Sequence, residues 1–457
     1  MIRLFALLVL LLPLVAGDVV ESDRWYVGHL NDQPAMTVHA VVLRHADGGR
    51  SDRAETKVVI VRKLGGIAIN MTVADIQSFT EDAKGQIASF RFDHDENGQP
   101  TSATGRVVGR EVVSTVLSLG RASEQRKPIP EGLDIMGQQR SQELLAGRTW
   151  KPGDQQVFGS IVMLGKEVQV VRSTAVFKST DAKGNLTFDV TMDVVPVPTT
   201  VTVDPKGELV GMGMSLGFIS ISVKPSNGPV PLIGAELAPT SLVTAKGPAP
   251  IHGPLNRYRL PPGATVATDE FQLTVDSVAT VLSDAAPSPL ADPAPFLKAE
   301  AQLEIDDEKL RAWVKDVAGT TTGDELAERL RLAARSHIGI KDLSTGDGSA
   351  LETFRSRRGD CTEHANLLGA ALRIAGIPSR VEAGLVYAAD FGGWVGHAWN
   401  SAYVAGRWIH LDSAYPGIPR SCYLKLGSTS GEWTTTGAAM LGNLAKVAGK
   451  EIETLVP

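Results

Sequence analysis

One stretch, Gly359 to Tyr415, narrows the choice of fold more than anything else in the chain. It carries Cys361 near its start, His397 beyond its middle and Asp412 near its end. A nucleophile, a base and an orienting carboxylate are the three parts of a thiol-dependent acyl-transfer site. The local structure read from the sequence can bring them together. Cys361 lies between Asp360 and Thr362, both capping-type residues. Behind it Ala365, Leu368, Ala371, Leu372 and Ala375 recur at the helical period. Gly376 stops the run and Pro378 prevents its return. The spacing predicts one helix over residues 361–376 with the cysteine in its first turn. That position faces the positive end of the helix dipole and unpaired N–H groups, which favour a thiolate and are placed to hold an oxyanion.

The other two residues fall on a predicted hairpin. Residues 398–404 and 407–412 read as strands, with Ala405-Gly406 as a two-residue turn. In that register Val404 faces Arg407, Trp399 faces Asp412, and His397 lies one diagonal step away on the same face. Diagonal Cβ atoms are about 7–8 Å apart or somewhat less, a gap that His and Asp side chains bridge. A three-residue turn would put Asp412 on the opposite face, so the site depends on the turn.

With these residues in view, the stretch resembles the transglutaminase-like superfamily. The matching pieces are Gly359-Asp360-Cys361 opening a helix, Ala375 to Arg380 closing it, His397-Ala398-Trp399, and Trp408 to Asp412. The resemblance spans roughly residues 305–430. It implies a papain-like Cys-His-Asp site, with the cysteine on a helix and the other two on neighbouring strands. Asn400-Ser401 stands where Thr/Val-Glu is frequent in the family, and Ser413-Ala414 where Pro-Thr is frequent. Neither departure removes a triad member, and substrate choice stays open. The superfamily contains acyl transferases, peptidases, amidases and members without activity. Two readings follow: an enzyme acting on amide bonds of proteins or peptides, or a binding or scaffold protein with a vestigial domain. The intact triad favours the enzyme.

Each residue has a plainer reading. Cys361 competes as a buried structural thiol, and in an exported protein a disulfide with Cys422 has to be weighed. The helix-start position and the resemblance favour the nucleophile, with Cys422 buried and free or serving as a reversible guard. His364, on nearly the same helix face as Cys361, and His410, on the strand face of Asp412, compete with His397 as base. Hairpin geometry and the resemblance favour His397 and leave the other two as site-lining candidates. Glu363 reads as a solvated or helix-dipole carboxylate. Trp394, Trp399 and Trp408 read as packing, with Trp394 a candidate for shaping the acyl pocket. The Cys/His/Asp spacing matches no zinc signature and no calcium loop stands out, so no metal or other cofactor is expected.

Around this stretch the chain divides into four. Residues 1–17 read as a signal peptide: Arg3, an apolar run from Leu4 to Val15, then Val15-Ala16-Gly17 before the cut. The run is short for a span of about 20 residues. Export to the periplasm or the exterior is the expectation, with no stable membrane span after cleavage. Residues 18–225 alternate apolar and polar residues between turns and read as an antiparallel β-rich region. Asp82-Ala83-Lys84-Gly85 and Asp181-Ala182-Lys183-Gly184 suggest two related sheets, with a helix from Pro130 to Leu145 between them. Residues 226–300 are proline-rich, with short strands at 257–260 and 271–275 and the clearest linker at 285–295. Residues 301–457 are the catalytic α+β candidate. There Asp306-Asp307 and Asp324 precede two amphipathic helices, and Ser349-x-x-Glu352 forms a capping box. A mobile glycine-rich loop over 391–396 and a tail helix over 434–447 complete the expectation. The whole is a multidomain chain, β-rich first and transglutaminase-like last. Net charge is -6 with no basic block, which excludes nucleic acid as a natural partner.

Overall fold

Alternating side chains and repeated turns build the first half of the molecule. The computed structural model describes residues 18–64, 67–96, 98–215, 219–237, 243–341, 348–428 and 442–455. The proposed signal peptide lies outside them. Eight strands from Val19 to Pro128 lie side by side in chain order, each antiparallel to the next. Six more, from Gln155 to Ser226, do the same, and the last of them pairs with Val19–Leu30. The two runs are one continuous sheet rather than two related sheets. The Asp-x-Lys-Gly turn recurs because its chemistry is self-sufficient. Asp82, Asp181 and Asp204 each accept from the backbone N–H two and four residues on. Gly85, Gly184 and Gly207 follow with φ of 77–85°. Aromatic clusters fill the inner face, Phe79, Phe90 and Phe92 in one and Trp150, Phe177 and Phe188 in another. The helix expected from residue 130 begins only at Gln138 and ends at Ala146. Residues 130–133 form a turn instead, and Ile135 bridges Gly159.

The proline-rich region is not a separate unit. Ala235–Leu237 joins the large sheet. Val243–Lys246, Leu255–Arg259, Gln272–Val275 and Val278–Leu282 belong to the second sheet, together with the strands of the C-terminal domain. The stretch 285–295 has no regular structure until a 3-10 turn at Ala294–Phe296, yet it packs: the Ser288 N–H donates to Gly406 O at 3.0 Å, and the Leu290 N–H to the Tyr403 hydroxyl at 3.0 Å.

The C-terminal domain pairs Ser379–Ala388 with Gly393–Val404, and the latter with Arg407–Leu411. Helices Glu308–Ala318, Gly323–His337 and Cys361–Ile374 pack against them around Leu310, Leu330, Leu368, Leu372 and Ala402. The Ser349–Glu352 capping box opens helix Ala350–Ser356. The glycines expected as a loop lie largely within a strand, because Gly393 to Gly396 pair with Leu385 to Ala388. Strand Glu451–Leu455 is parallel to Val243–Lys246, an addition with no local signal. Residues 442–447 are helical; the rest of the expected tail helix lies outside the described residues. No helix among the described residues is long and apolar enough to cross a membrane.

The two parts meet through charge. Lys166, in a turn of the large sheet, contacts Glu304 and Glu352 at 3.1 Å each and Ser349 Oγ at 2.7 Å. Arg121 pairs with Asp307 at 2.6 Å, the carboxylate that caps helix 308–318. Lys166→Ala strands two carboxylates at a largely buried joint. It is expected to destabilise the docking by on the order of 3 kcal/mol. Differential scanning calorimetry checks this: the wild-type transition should split or shift down in the variant.

Candidate active site

The site is assembled at the start of helix Cys361–Ile374. Asp360 accepts from Thr362 N–H at 3.0 Å and from the Glu363 N–H of the capping box. The His364 N–H bonds to Asp360 O at 3.1 Å. Of the first-turn donors, this leaves the N–H of Cys361 itself for an oxyanion. Glu363 is not a solvated residue. Its side chain turns inward, with Oε2 accepting from Asp360 N–H and Oε1 from Gly348 N–H, both at 2.8 Å. Burial, and then the neighbouring charge of Asp360, holds its carboxyl well above the usual carboxylate range.

The hairpin turn is the two-residue kind. Ala405 and Gly406 both have positive φ, 49° and 81°, as the right-handed twist of a tight hairpin requires. Val404 pairs with Arg407 and Asn400 with Leu411, a register that sets Trp399 level with Asp412. His397 and Asp412 both end up buried, and His397 Nε2–H donates to Asp412 Oδ2 at 2.7 Å. That leaves Nδ1 of the ring for the Cys361 thiol. Burial pushes the imidazole down, but the bond to Asp412 and the neighbouring Cys361 outweigh it and raise His397 to about 10. Burial likewise pushes Asp412 up, and the His397 bond and charge bring it down to about 2. A protonated ring facing a carboxylate on one side and a thiol on the other is the arrangement of an ion-paired nucleophile.

The remaining candidates lie as follows. His364 is buried; its Nδ1–H donates to Ser413 Oγ at 3.3 Å and Nε2 has no partner among the described residues. Burial, with help from Lys341, lowers it to about 4, so the ring is neutral beside the triad. His410 packs on Tyr423 with ring centroids 4.6 Å apart. Both its nitrogens are buried without partners, and burial first, then Arg420, lowers it to about 3. Trp394 does not meet the triad: it is fully buried between Tyr258 and Tyr387 in a different core cluster. Trp399 stacks on His397 instead, at 6.2 Å and 17°. Both cysteines are free; Cys422 is buried near Asn256 and Ile251 O, and burial pushes its thiol up to about 11. Among the described residues no group of three or more His, Cys, Asp or Glu is placed to hold a metal.

Three residues that the sequence reading did not single out hold Asp412 and the turn that follows it. The Tyr423 hydroxyl donates to Oδ2 at 2.8 Å. Arg331 Nη1 donates to Asp412 O at 3.1 Å, and Arg335 Nη1 to Ala414 O at 3.0 Å. The backbone N–H groups of Ala414 and Tyr415 fill Oδ1 at 2.8 and 2.9 Å. Arg331 and Arg335 share a helix face by their spacing, which is a readable signal. Tyr423 has none, because only long-range strand pairing brings it there. Tyr423→Phe is expected to lower kcat on an amide substrate about three- to tenfold with KM unchanged, one hydrogen bond to the orienting carboxylate being lost. Steady-state kinetics checks this, and an equal effect on KM would contradict it.

An α+β domain with a cysteine at a helix start and a buried His-Asp pair on adjacent strands defines a papain-like thiol site. Residues 311–413 match the transglutaminase-like superfamily, and the C-terminal domain is a transglutaminase-like domain. No curated protein matches the chain. Among solved structures, a candidate cysteine protease from Cytophaga hutchinsonii is similar at 16% identity over 47% of this chain and 84% of that one, with a TM-score of 0.30. A beta-barrel-like protein of a domain of unknown function from Brucella abortus is similar at 15% identity over 46% of this chain and 98% of that one, TM-score 0.33. A candidate protease from Parabacteroides distasonis shares 11% identity over 85% of this chain and 68% of that one, TM-score 0.24.

Proposed function

We propose that the chain is an exported thiol-dependent acyl-transfer enzyme acting on amide bonds of proteins or peptides. The observation that carries this reading is the His397–Asp412 bond of 2.7 Å beside Cys361 at a helix start. Cys361 attacks the amide carbonyl as thiolate, and the oxygen takes up the negative charge near the Cys361 N–H. Collapse breaks the C–N bond, and His397 gives its proton to the leaving amine. The resulting thioester passes to water, with His397 accepting the water's proton, which releases a carboxylic acid and restores the thiol. A primary amine in place of water gives a new amide instead. Hydrolysis is the favoured outcome.

The test is mass spectrometry of a peptide library incubated with the mature protein, with and without a primary amine. Cleaved peptides support the peptidase or amidase, and amine-adducted peptides the transferase. Neither product, together with a Cys361 inert to an amide-based thiol probe, would replace the enzyme by a binding or scaffold role. The export part of the proposal rests on residues 1–17. N-terminal sequencing of protein from the extracytoplasmic fraction should start near Asp18, and an intact Met1 there would overturn it.

A further inference from the structure

The N-terminal sheet and its one helix enclose a second site that the triad does not use. Between the inner face of the sheet and helix Gln138–Ala146 lies a cavity of about 220 Å³. That exceeds the roughly 150 Å³ of an engineered apolar cavity that takes up benzene. Its walls are mostly apolar, with Tyr26, Val38, Val42, Phe79 and Met212 among them. At one end stands Asp52, only 8% exposed; no side chain bonds its carboxylate, on which only backbone N–H groups such as that of Gln139 act. The helix lays Gln138, Gln139 and Gln142 over the cavity where apolar side chains would complete a sealed core.

The chain closes tightly over the carboxylate. A Cβ at Gly137 would stand 2.7 Å from Asp52 Oδ2 and 3.1 Å from Glu81 Oε1, so a larger residue there would push the carboxylates aside. The surrounding charges are already committed. Glu81 accepts from Gly137 N–H. Arg50 is bound to Glu21 and to Glu143 of the helix, and Arg53 to Glu55. Arg140 of the helix acts on Glu81 from a distance. Burial, and then the charge of Glu81, raises Asp52 to about 6; the Gln139 N–H and Arg50 pull the other way. An enclosed carboxylate with a second one beside it and no bound counter-ion is costly to keep ionised unless something cationic joins it.

We propose that this cavity binds a small amphipathic amine, its apolar body among the sheet side chains and its ammonium donating to Asp52. An apolar chamber with a single anionic end fits such a molecule by both volume and charge. A neutral alcohol leaves the charge uncompensated, and a carboxylate adds to it. The glutamine amides of the helix supply further acceptors for the remaining ammonium hydrogens. The site is separate from Cys361 and its occupancy does not depend on acyl transfer.

The test uses the mature full chain carrying Cys361→Ala, so that no amine is consumed. Isothermal titration calorimetry at about pH 8 compares phenethylamine, 2-phenylethanol and 3-phenylpropionate, conditions under which Asp52 is ionised and the amine charged. The amine is expected to bind saturably at sub-millimolar concentration, the alcohol at least about tenfold more weakly, and the acid not at all. Asp52→Asn should bring the amine down to the alcohol's affinity, and Ala54→Leu, which fills the cavity, should abolish both. Should Asp52→Asn fail to fold, a pH series on the parent replaces it: amine affinity falls at least about tenfold between pH 8 and pH 5 while alcohol affinity stays level. Equal binding of amine and alcohol, binding insensitive to Asp52→Asn or to Ala54→Leu, a flat pH series, or no saturable binding of any of the three would each overturn the proposal.

Discussion

In the His397→Ala variant, alkylation of Cys361 by iodoacetamide at neutral pH is expected to fall on the order of a hundredfold, because the thiol loses its base and its ion-pair partner together. Cys361→Ala should leave no fast-reacting thiol, since Cys422 is buried and its thiol is pushed up to about 11. Asp412→Ala should be milder, about tenfold, because the carboxylate orients and stabilises the ring without taking its proton. Members of such a unit are not additive, so His397→Ala/Asp412→Ala should lie within about threefold of His397→Ala alone. His364→Ala and His410→Ala should keep most of the reactivity: one is hydrogen-bonded to Ser413, the other packed on Tyr423, and both are held neutral by burial. The measurement is the second-order alkylation rate across the six variants. If His364→Ala lost reactivity and His397→Ala kept it, the base would be misassigned.

The same pair sets a pH window for stability. His397 is raised above its unfolded value, so its contribution is complete below about pH 6.5 and is lost as pH rises through about 10. Asp412 is depressed, so its contribution is complete above about pH 4 and is lost as pH falls through about 2. Between about pH 2 and about pH 10 both charges are in place in the folded chain. The wild-type excess over His397→Gln in urea unfolding should therefore shrink from pH 7 toward pH 10.

How much of this was legible in the sequence depended on the distance over which each feature is decided. The nucleophile helix and the hairpin are local: Asp360 caps, Gly376 follows the helix end, and Ala405-Gly406 fixes the register that brings His397 to Asp412. The roles of Glu363 and Trp394 are not local. Glu363 turns inward because Gly348, brought over it from the preceding segment, offers a backbone N–H. Trp394 turns from the site because Val243–Lys246, far earlier in the chain, pairs beside it. The single large sheet was unreadable for a similar reason. The pairing of Val19–Leu30 with Ser220–Ser226 joins the ends of the region, and no turn chemistry announces it. The proline-rich stretch looked like a linker because prolines favour extended chain, but an extended chain also suits short strands and docking onto Tyr403.

Gly359→Ala is expected to be as damaging as the loss of a triad member although it touches no reacting atom. Gly359 has φ of +152°, which L side chains rarely adopt, and a Cβ there would stand 2.3 Å from Glu363 Cβ. The neighbour cannot retreat, because both Glu363 oxygens are bound, one to Asp360 N–H and one to Gly348 N–H. Relief therefore requires breaking the capping box or swinging the segment at Gly348 off the helix. Either exposes a carboxyl that burial now keeps above its usual range, and either frees the first turn from which Cys361 projects. The expected cost is on the order of 3 kcal/mol, a strained backbone plus a lost cap. A displacement of about 1 Å at the thiol lowers the rate about a hundredfold even in molecules that remain folded. Comparing urea midpoints with alkylation rates of the folded fraction separates the two effects. Glu363→Gly in the Gly359→Ala background removes the clash with the Glu363 Cβ and should recover part of the stability but not the rate, since the box stays open. Full recovery of both would mean that the cap does not position the nucleophile.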